Sequence, residues 1–401
     1  MSIGASKMTA DHIQDNRPTP ADILPLAGLR VLDLTWLLPG PFGTHQLAEL
    51  GADVLKIERP HTGDYMREMF PDLFELVNRN KRSIALDLKS EQGRQVFLKL
   101  AGKADVVIES FRPGVTKRLG IDYDNLKDLK SDLIYVSISG YGQDGPYAHR
   151  PGHDVNYLAL AGGLSTPGQW GEAPCRSGLP VADLAGALYA VTNILAALRS
   201  RDITGQGAFI DLAITDAVLH WAQVRFGSRP TSEESEWHHL HPTNDVFHTA
   251  DDRGISLALI EEKFWNNFCH AIGRVDLLER YPSIGEVAHD RVHSYAIRNV
   301  VAEVIRSEDL RHWCEIFEGA DIPFAPVNGP DEVFADPHFA ARGTIVRDDS
   351  GTPTVLLPGR LTVHHGRGHA PNLGENTDEV LADIGLGDGE IAELRRIAAI
   401  A

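Results

Sequence analysis

The feature that most constrains this 401-residue chain is an alternation, over its first 140 residues, of short Val-, Ile- and Leu-rich runs with helical stretches. Residues 29–34, 52–57, 83–88, 104–109 and 133–138 read as strands, and 43–50, 91–101 and 115–119 read as helices between them. Strand and helix in turn mean βαβ units, hence a mostly parallel sheet with helices on its faces. Pro39-Gly-Pro41 reads as a break after the first strand. The first crossover lacks G-x-G-x-x-G, so the backbone cradle of a dinucleotide pyrophosphate is missing and an NAD enzyme is disfavoured.

Beyond residue 140 the texture changes. Gly140-Tyr-Gly-Gln-Asp-Gly-Pro146 is turn-rich, and a long apolar helix is expected over 184–201. Its nearly apolar part, 184–198, is too short to span a bilayer and reads as a buried core helix. A strand at 209–212, a helix at 213–221, a polar boundary, a strand pair (245–248 and 255–260) and an amphipathic helix at 264–272 follow. The expected architecture is α/β: a Rossmann-like large domain over 23–225, a smaller α+β domain over 226–330, and a C-terminal return to the large domain over 331–401, after a disordered leader at 1–22.

Charge narrows the partners. Lys and Arg number 38 against 56 Asp and Glu, a formal charge of −18. Such a surface repels nucleic acid and anionic membrane, so neither is an expected partner. Three scattered cysteines (Cys175, Cys269, Cys314) argue against a disulfide framework or a thiolate metal site and for a reducing, cytoplasmic setting. His238-His-Leu-His241 lacks helical metal-ligand spacing, and no metal is expected.

Against that acidic background the cations Lys56, Arg59, Arg79, Lys81, Arg82, Lys89 and Arg112 fall near the ends of successive strands. Carboxyl ends of parallel strands are where α/β sheets bind ligands, so this patch points to a phosphate-bearing ligand as well as to simple flanking of buried strands. Gly152-His-Asp-Val-Asn-Tyr157 sets His153 beside Asp154, a pairing that serves either as a tuned base or as a loop histidine and a helix cap. Asp183 is expected at the N-cap of the long apolar helix, its carboxylate aimed inward, where an unpaired carboxylate is rare unless functional.

Several stretches in order resemble one superfamily: Leu26-Ala-Gly-Leu-Arg-Val-Leu-Asp-Leu34, Gly51-Ala-Asp-Val-Leu-Lys-Ile-Glu-Arg-Pro60, Asn78-Arg-Asn-Lys-Arg-Ser-Ile-Ala-Leu-Asp-Leu-Lys89, Glu109-Ser-Phe-Arg-Pro-Gly114, Ser139-Gly-Tyr-Gly-Gln143 and Thr204-Gly-Gln-Gly207. They resemble the class III CoA-transferases, the carnitine-CoA-transferase-like group that also contains the α-methylacyl-CoA racemases. The resemblance implies an interlocked homodimer with its active site at the interface and an acyl-CoA substrate, with no cofactor beyond that CoA. It places Arg59, Ala85, Leu86, Asp87, Lys89 and Arg112 against CoA.

It also implies two chemistries for Asp183. In the transferases the matching Asp is the nucleophile that passes through an aspartyl–CoA thioester; in the racemases it is an acid/base opposed by the His of G-H-D-x-N-Y. The motif at 152–157 and Ile260-Glu261 are nearer the racemase form, whereas Phe264-Trp-Asn-Asn-Phe-Cys269 and residues 322–328 are nearer the transferases. The expectation is therefore a 2-methylacyl-CoA racemase working by proton transfer through an enolate. His153, supported by Glu261, takes one face and Asp183 the other, with Tyr157 orienting Asp183 and backbone N–H groups at the Asp183 helix start holding the enolate. The alternative is CoA transfer between an acyl-CoA and a carboxylic acid.

Overall fold

The computed structural model describes residues 24–165, 175–226, 241–287, 291–347, 351, 353–359 and 368–401, so the expected leader lies outside the described residues. Six strands, β1 (Arg30–Leu34), β2 (Asp53–Glu58), β3 (Arg82–Ala85), β4 (Val106–Glu109), β5 (Ile134–Ser139) and β6 (Ala208–Ala213), form one sheet in the order β3-β2-β1-β4-β5-β6. Every pairing in it is parallel. The order reverses between β1 and β4, which opens a crevice at their carboxyl ends.

The two faces are read off the strands residue by residue. Val31, Val54, Val106, Ile108, Ile134 and Val136 pack with Leu47, Ala48, Ala190 and Ile194 of two covering helices, Pro39–Glu49 and Val181–Thr204. Their alternate neighbours Leu32, Leu55, Val107 and Tyr135 pack with Val96, Phe97 and Leu100 on the opposite face. Period-two alternation has thus sorted one apolar run into two cores.

The second core is closed by the C-terminal segment, which supplies Val380, Leu381, Leu386, Ile391, Leu394 and Ile400. Ile400 bridges Leu86 in antiparallel sense, and the Ala401 N–H donates to the Ala85 carbonyl.

Two expectations are corrected here. Pro39-Gly-Pro41 does not break the chain: Pro39 and Pro41 occupy the first turn of the helix Pro39–Glu49, where a missing N–H leaves no internal hydrogen bond unmade. The apolar helix runs for 24 residues, Val181–Thr204, and by length and composition alone could cross a bilayer. In the fold its small residues Ala182, Ala185, Gly186, Ala187 and Ala190 are buried.

Residues 241–326 carry a separate core. β7 (Asn244–His248), β8 (Gly254–Ala258) and β9 (Phe324–Pro326) form an antiparallel sheet. It packs with Trp265, Phe268, Ile297, Trp313 and Phe317 from helices that include Glu262–Ala271. A last hairpin, β10 (Ile345–Arg347) with β11 (Pro353–Val355), meets the first sheet's loops where Arg79 donates to the Thr354 hydroxyl at 2.8 Å.

Candidate active site at the strand ends

The expected basic patch divides in two. Lys56 is buried, pairs with Asp64 at 3.0 Å and donates to the Thr35 carbonyl at 2.9 Å. Lys81 pairs with Asp33 at 3.0 Å and reaches the hydroxyl of Thr44 and the amide oxygen of Asn78, both at 2.8 Å. Arg82 is held by Asp53 and Glu379. With Arg79 on Thr354, four of the seven cations are therefore structural. A run of Lys and Arg cannot by itself show this, because the carboxylates that neutralise them come from elsewhere in the chain.

Arg59, Lys89 and Arg112 remain, and the first two line a cavity of about 440 Å³ beside the crevice, with Trp36, Leu86, Asp87, Phe111 and Arg118. The Arg59 guanidinium lies over the Trp36 ring at 4.3 Å from its centroid, and Trp36 meets Phe111 edge-on at 6.1 Å. Flat apolar walls with three cations at the rim suit a flat ring bearing phosphates. Arg118 was not singled out from sequence, although Val115–Leu119 reads as a helix there and its position one turn beyond Gly114 could have marked it. Ala85 does not line this cavity: it is fully buried, with its N–H on the Thr377 hydroxyl and its carbonyl taken by Ala401. Arg112 also lies outside the lining and instead reaches the electrostatic surroundings of Tyr157.

Asp183 is not the N-cap of its helix. Pro180 holds that position and has no side-chain acceptor, so Asp183 is the third helical residue. The cap comes from Asp154, whose Oδ1 accepts the N–H groups of Ala182 at 2.7 Å and Asp183 at 3.3 Å. Two carboxylates thus share one helix N-terminus. Burial, and then the Asp154 charge, push the Asp183 carboxyl up to about 7. Among the described residues no hydrogen bond or ion pair reaches that carboxylate.

Tyr157 does not donate to Asp183. Its hydroxyl donates to the Gly152 carbonyl and is pushed above its ordinary value by burial and by the nearby Asp183 and Tyr141, with Arg112 opposing. This explains why two glycines recur in the motifs. A Cβ on Gly140 would sit 2.3 Å, and one on Gly152 2.6 Å, from the Tyr157 ring, so both loops close on Tyr157 only as glycine.

His153 is exposed and occupies the N-cap of the helix Asp154–Leu160, where its N–H donates to the Asn156 side chain at 3.0 Å. Within one chain Glu261 does not reach it. Glu261 occupies the N-cap position of the helix Glu262–Ala271 in the other core without a side-chain capping bond and is exposed, with its field felt at His241. Of the N–H groups at the Asp183 helix start expected among those holding an enolate, the ones of Ala182 and Asp183 donate to Asp154. His241 uses both ring nitrogens, on the Ile284 carbonyl at 3.2 Å and the Thr243 hydroxyl at 3.0 Å. His238 and His239 lie outside the described residues, among which no group of three metal-ligating side chains converges.

The fold and its switch-point crevice define an α/β protein with a ligand cavity at its strand ends and, among the described residues, an unpartnered carboxylate at a helix start, and comparison with known proteins sharpens this. A family model described as CoA-transferase family III matches residues 26–377. The chain belongs to that family.

The acetyl-CoA:oxalate CoA-transferase of Acetobacter aceti is 34% identical over 371 residues, covering 88% of this chain and 93% of that protein. The succinyl-CoA:mesaconate CoA-transferase of Haloarcula hispanica is 33% identical, covering 91% and 97%. Human succinyl-CoA:glutarate CoA-transferase is 30% identical, covering 90% and 86%. Among solved structures, a CAIB/BAIF family protein from Brucella suis superposes with a TM-score of 0.77 at 30% identity, covering 90% of this chain and 99% of that one. The three enzymes from Acetobacter aceti, Haloarcula hispanica and human are named as CoA-transferases, so they favour the alternative reading over the racemase expected from the motif at 152–157.

Proposed function

We propose that this protein moves CoA between an acyl-CoA and a small dicarboxylic acid, with Asp183 as the covalent carrier. The observation that carries the reading is the Asp183 carboxylate: desolvated, repelled by Asp154 and without a partner among the described residues. A carboxylate so placed is a stronger nucleophile than one in water. The dicarboxylic class rests on the oxalate, mesaconate and glutarate in the relatives' names.

An Asp183 oxygen attacks the thioester carbonyl, the C–S bond breaks, and CoA thiolate leaves behind an acyl–aspartyl anhydride. The thiolate then attacks the aspartyl carbonyl, releasing the first acid as its carboxylate and leaving an aspartyl–CoA thioester. The acceptor carboxylate repeats the sequence in reverse, and Asp183 is regenerated. Protons and electrons balance without any further reactant, and the only coenzyme is the CoA of the substrate. Arg59, Lys89 and Arg118 would hold the phosphates of CoA in the cavity.

The homodimer implied by the family resemblance is part of the same proposal. Leu188, Leu195 and Ile203 of the helix Val181–Thr204 remain exposed in the single chain, which supports a second copy covering them.

Racemisation needs a second base across the α-carbon, and within one chain His153 is exposed with no acidic partner among the described residues. Parallel incubations of acetyl-CoA and of a 2-methylacyl-CoA with oxalate in D₂O, followed by mass spectrometry of the CoA esters, test both readings: oxalyl-CoA is expected. Solvent deuterium in a 2-methylacyl-CoA without any transferred ester would overturn the proposal. His153→Ala is expected to keep transfer within about fivefold of the parent. Arg59→Ala is expected to raise KM for the acyl-CoA about tenfold with kcat little changed, the pattern of a lost charge-assisted contact made equally before and at the transition state.

A further inference from the structure

Glu109 ends β4 as a carboxylate 2% exposed, and the transfer chemistry above gives it no task. Its Oε2 accepts the Phe111 N–H at 2.7 Å, and its Oε1 accepts the Ser137 hydroxyl. Ser137 sits opposite Glu109 in the β4–β5 register, and its oxygen accepts the Gln143 side-chain amide at 2.8 Å. The Gln143 N–H is tied in turn to the Asp211 carboxylate at 3.0 Å. Burial pushes the Glu109 carboxyl up to about 7 against the hydrogen bonds it accepts.

The two segments joined through this chain are one that carries a cavity residue, Phe111, and one that packs on Tyr157. Phe111 lines the cavity, and Ser110 accepts the N–H of the cavity residue Trp36 at 3.0 Å, while the Arg112 charge is felt at Tyr157. The segment leading to Gln143 carries Tyr141, edge-on to Tyr157 at 5.3 Å, and Tyr157 lies beside Asp183. A buried carboxylate would be expensive to keep merely as filling, and an apolar side chain would pack at the same place with less penalty.

We infer that Glu109 is a positioning residue: through Ser137 it fixes segment 110–112, which carries the cavity residue Phe111, against segment 140–143, which packs on Tyr157, and so sets the thioester's register on Asp183. The inference rests on the CoA-transferase reading. Register matters because a misplacement of about 1 Å costs on the order of a hundredfold in rate.

The variants separate the links. Ser137→Ala leaves the Phe111 N–H on Glu109 but cuts the path to Gln143; it should lower kcat for transfer from acetyl-CoA to oxalate at least tenfold and leave the affinity for free CoA within about threefold. Glu109→Gln keeps an acceptor for Phe111 and a donor for Ser137, and should stay within about threefold of the parent in both. Glu109→Ala loses both links, and should lower kcat and weaken CoA binding together.

Amide hydrogen exchange, read without substrate, tests the strut even if no transfer is found. Ser137→Ala should quicken exchange at 141–143 alone, and Glu109→Ala at 111–112 as well. The inference is overturned if Ser137→Ala alters neither rate nor exchange, or if Glu109→Gln is as impaired as Glu109→Ala. If Glu109→Ala does not fold, the contrast between Ser137→Ala and Glu109→Gln still decides.

Discussion

Asp183→Asn is expected to lose at least about 10⁴-fold in CoA-transfer kcat, because an amide oxygen cannot form the acyl anhydride from which the rest of the cycle proceeds. The unaltered enzyme should show an acidic limb in kcat/KM with an apparent pKa near 7. Only the ionised carboxylate attacks, and burial with Asp154 raises its pKa to about 7, so the rate should fall about tenfold per pH unit below it. The same substitution should stabilise the fold at pH 8. A carboxyl whose folded pKa lies above its unfolded value binds the extra proton between about 4 and 7, so its contribution is favourable at low pH and is lost as pH rises through 7. Asparagine removes the ionised form and should raise stability at pH 8 by about 1–2 kcal/mol, discounted for the partial exposure of the site. Active but less stable, inactive but more stable is the pattern of a site strained for function, and thermal melting of both proteins at pH 5 and 8 reads it.

Lys81→Met should be the most damaging substitution to the fold itself. The Lys81 ammonium is buried among the Asp33 carboxylate, Thr44, Asn78 and the Pro41 carbonyl, the last at 3.0 Å. Burial works against the Asp33 charge, and Lys81, Lys56 and the hydroxyls of Thr35 and Thr44 more than offset it, holding that carboxyl well below the usual range. Methionine fills the volume but leaves Asp33 short of its main countercharge, a loss of about 3–5 kcal/mol. A native chain has only about 5–15 kcal/mol in hand, so the melting temperature should drop by roughly 10 °C or the protein should fail to accumulate. Arg311→Ala, which cuts an exposed pair with Glu315, should leave the melting temperature unchanged within error. Equal melting of Lys81→Met and parent would mean that Lys56, Thr35 and Thr44 alone satisfy Asp33.

Much of the sheet was legible because its strands are short apolar runs set between helical stretches, buried on both faces, which one-residue errors at the ends do not disturb. Val106, Val107 and Ile108 show it: alternate residues of one apolar run enter different cores. The helix Pro39–Glu49 was misread at its start because a proline in a first turn and a proline that ends a strand look alike in one dimension. The short helices Met66–Met69 and Pro71–Asn78 were not anticipated, since their turns draw order from the buried Met66, Phe74 and Val77 packing with Ala370, some 300 residues onward, rather than from local periodicity.

The site divides along the same line. That Asp183 heads a buried helix could be read from the apolar residues after it; that Asp154 would cap that helix from across a loop could not, because the pairing spans 29 residues. Neighbouring Lys and Arg suggested one patch, and their remote acidic partners dissolved it into a buried ion cluster and a cavity rim. His153 and Glu261 were joined by motif likeness, yet in the chain they belong to separate cores, Glu261 being near His241. Gly140 and Gly152 looked like punctuation and are instead the two sides of a slot for the Tyr157 ring.

The most direct measurement is the mass of the protein after brief exposure to acetyl-CoA with no acceptor acid, followed by borohydride reduction and peptide mapping. Covalent carriage predicts CoA on the protein at Asp183, reduction of that residue to its alcohol, and loss of both in Asp183→Asn. An unmodified Asp183 in protein that nevertheless converts acyl-CoA and acid to products, or that only exchanges the α-proton of its substrate, would contradict the account.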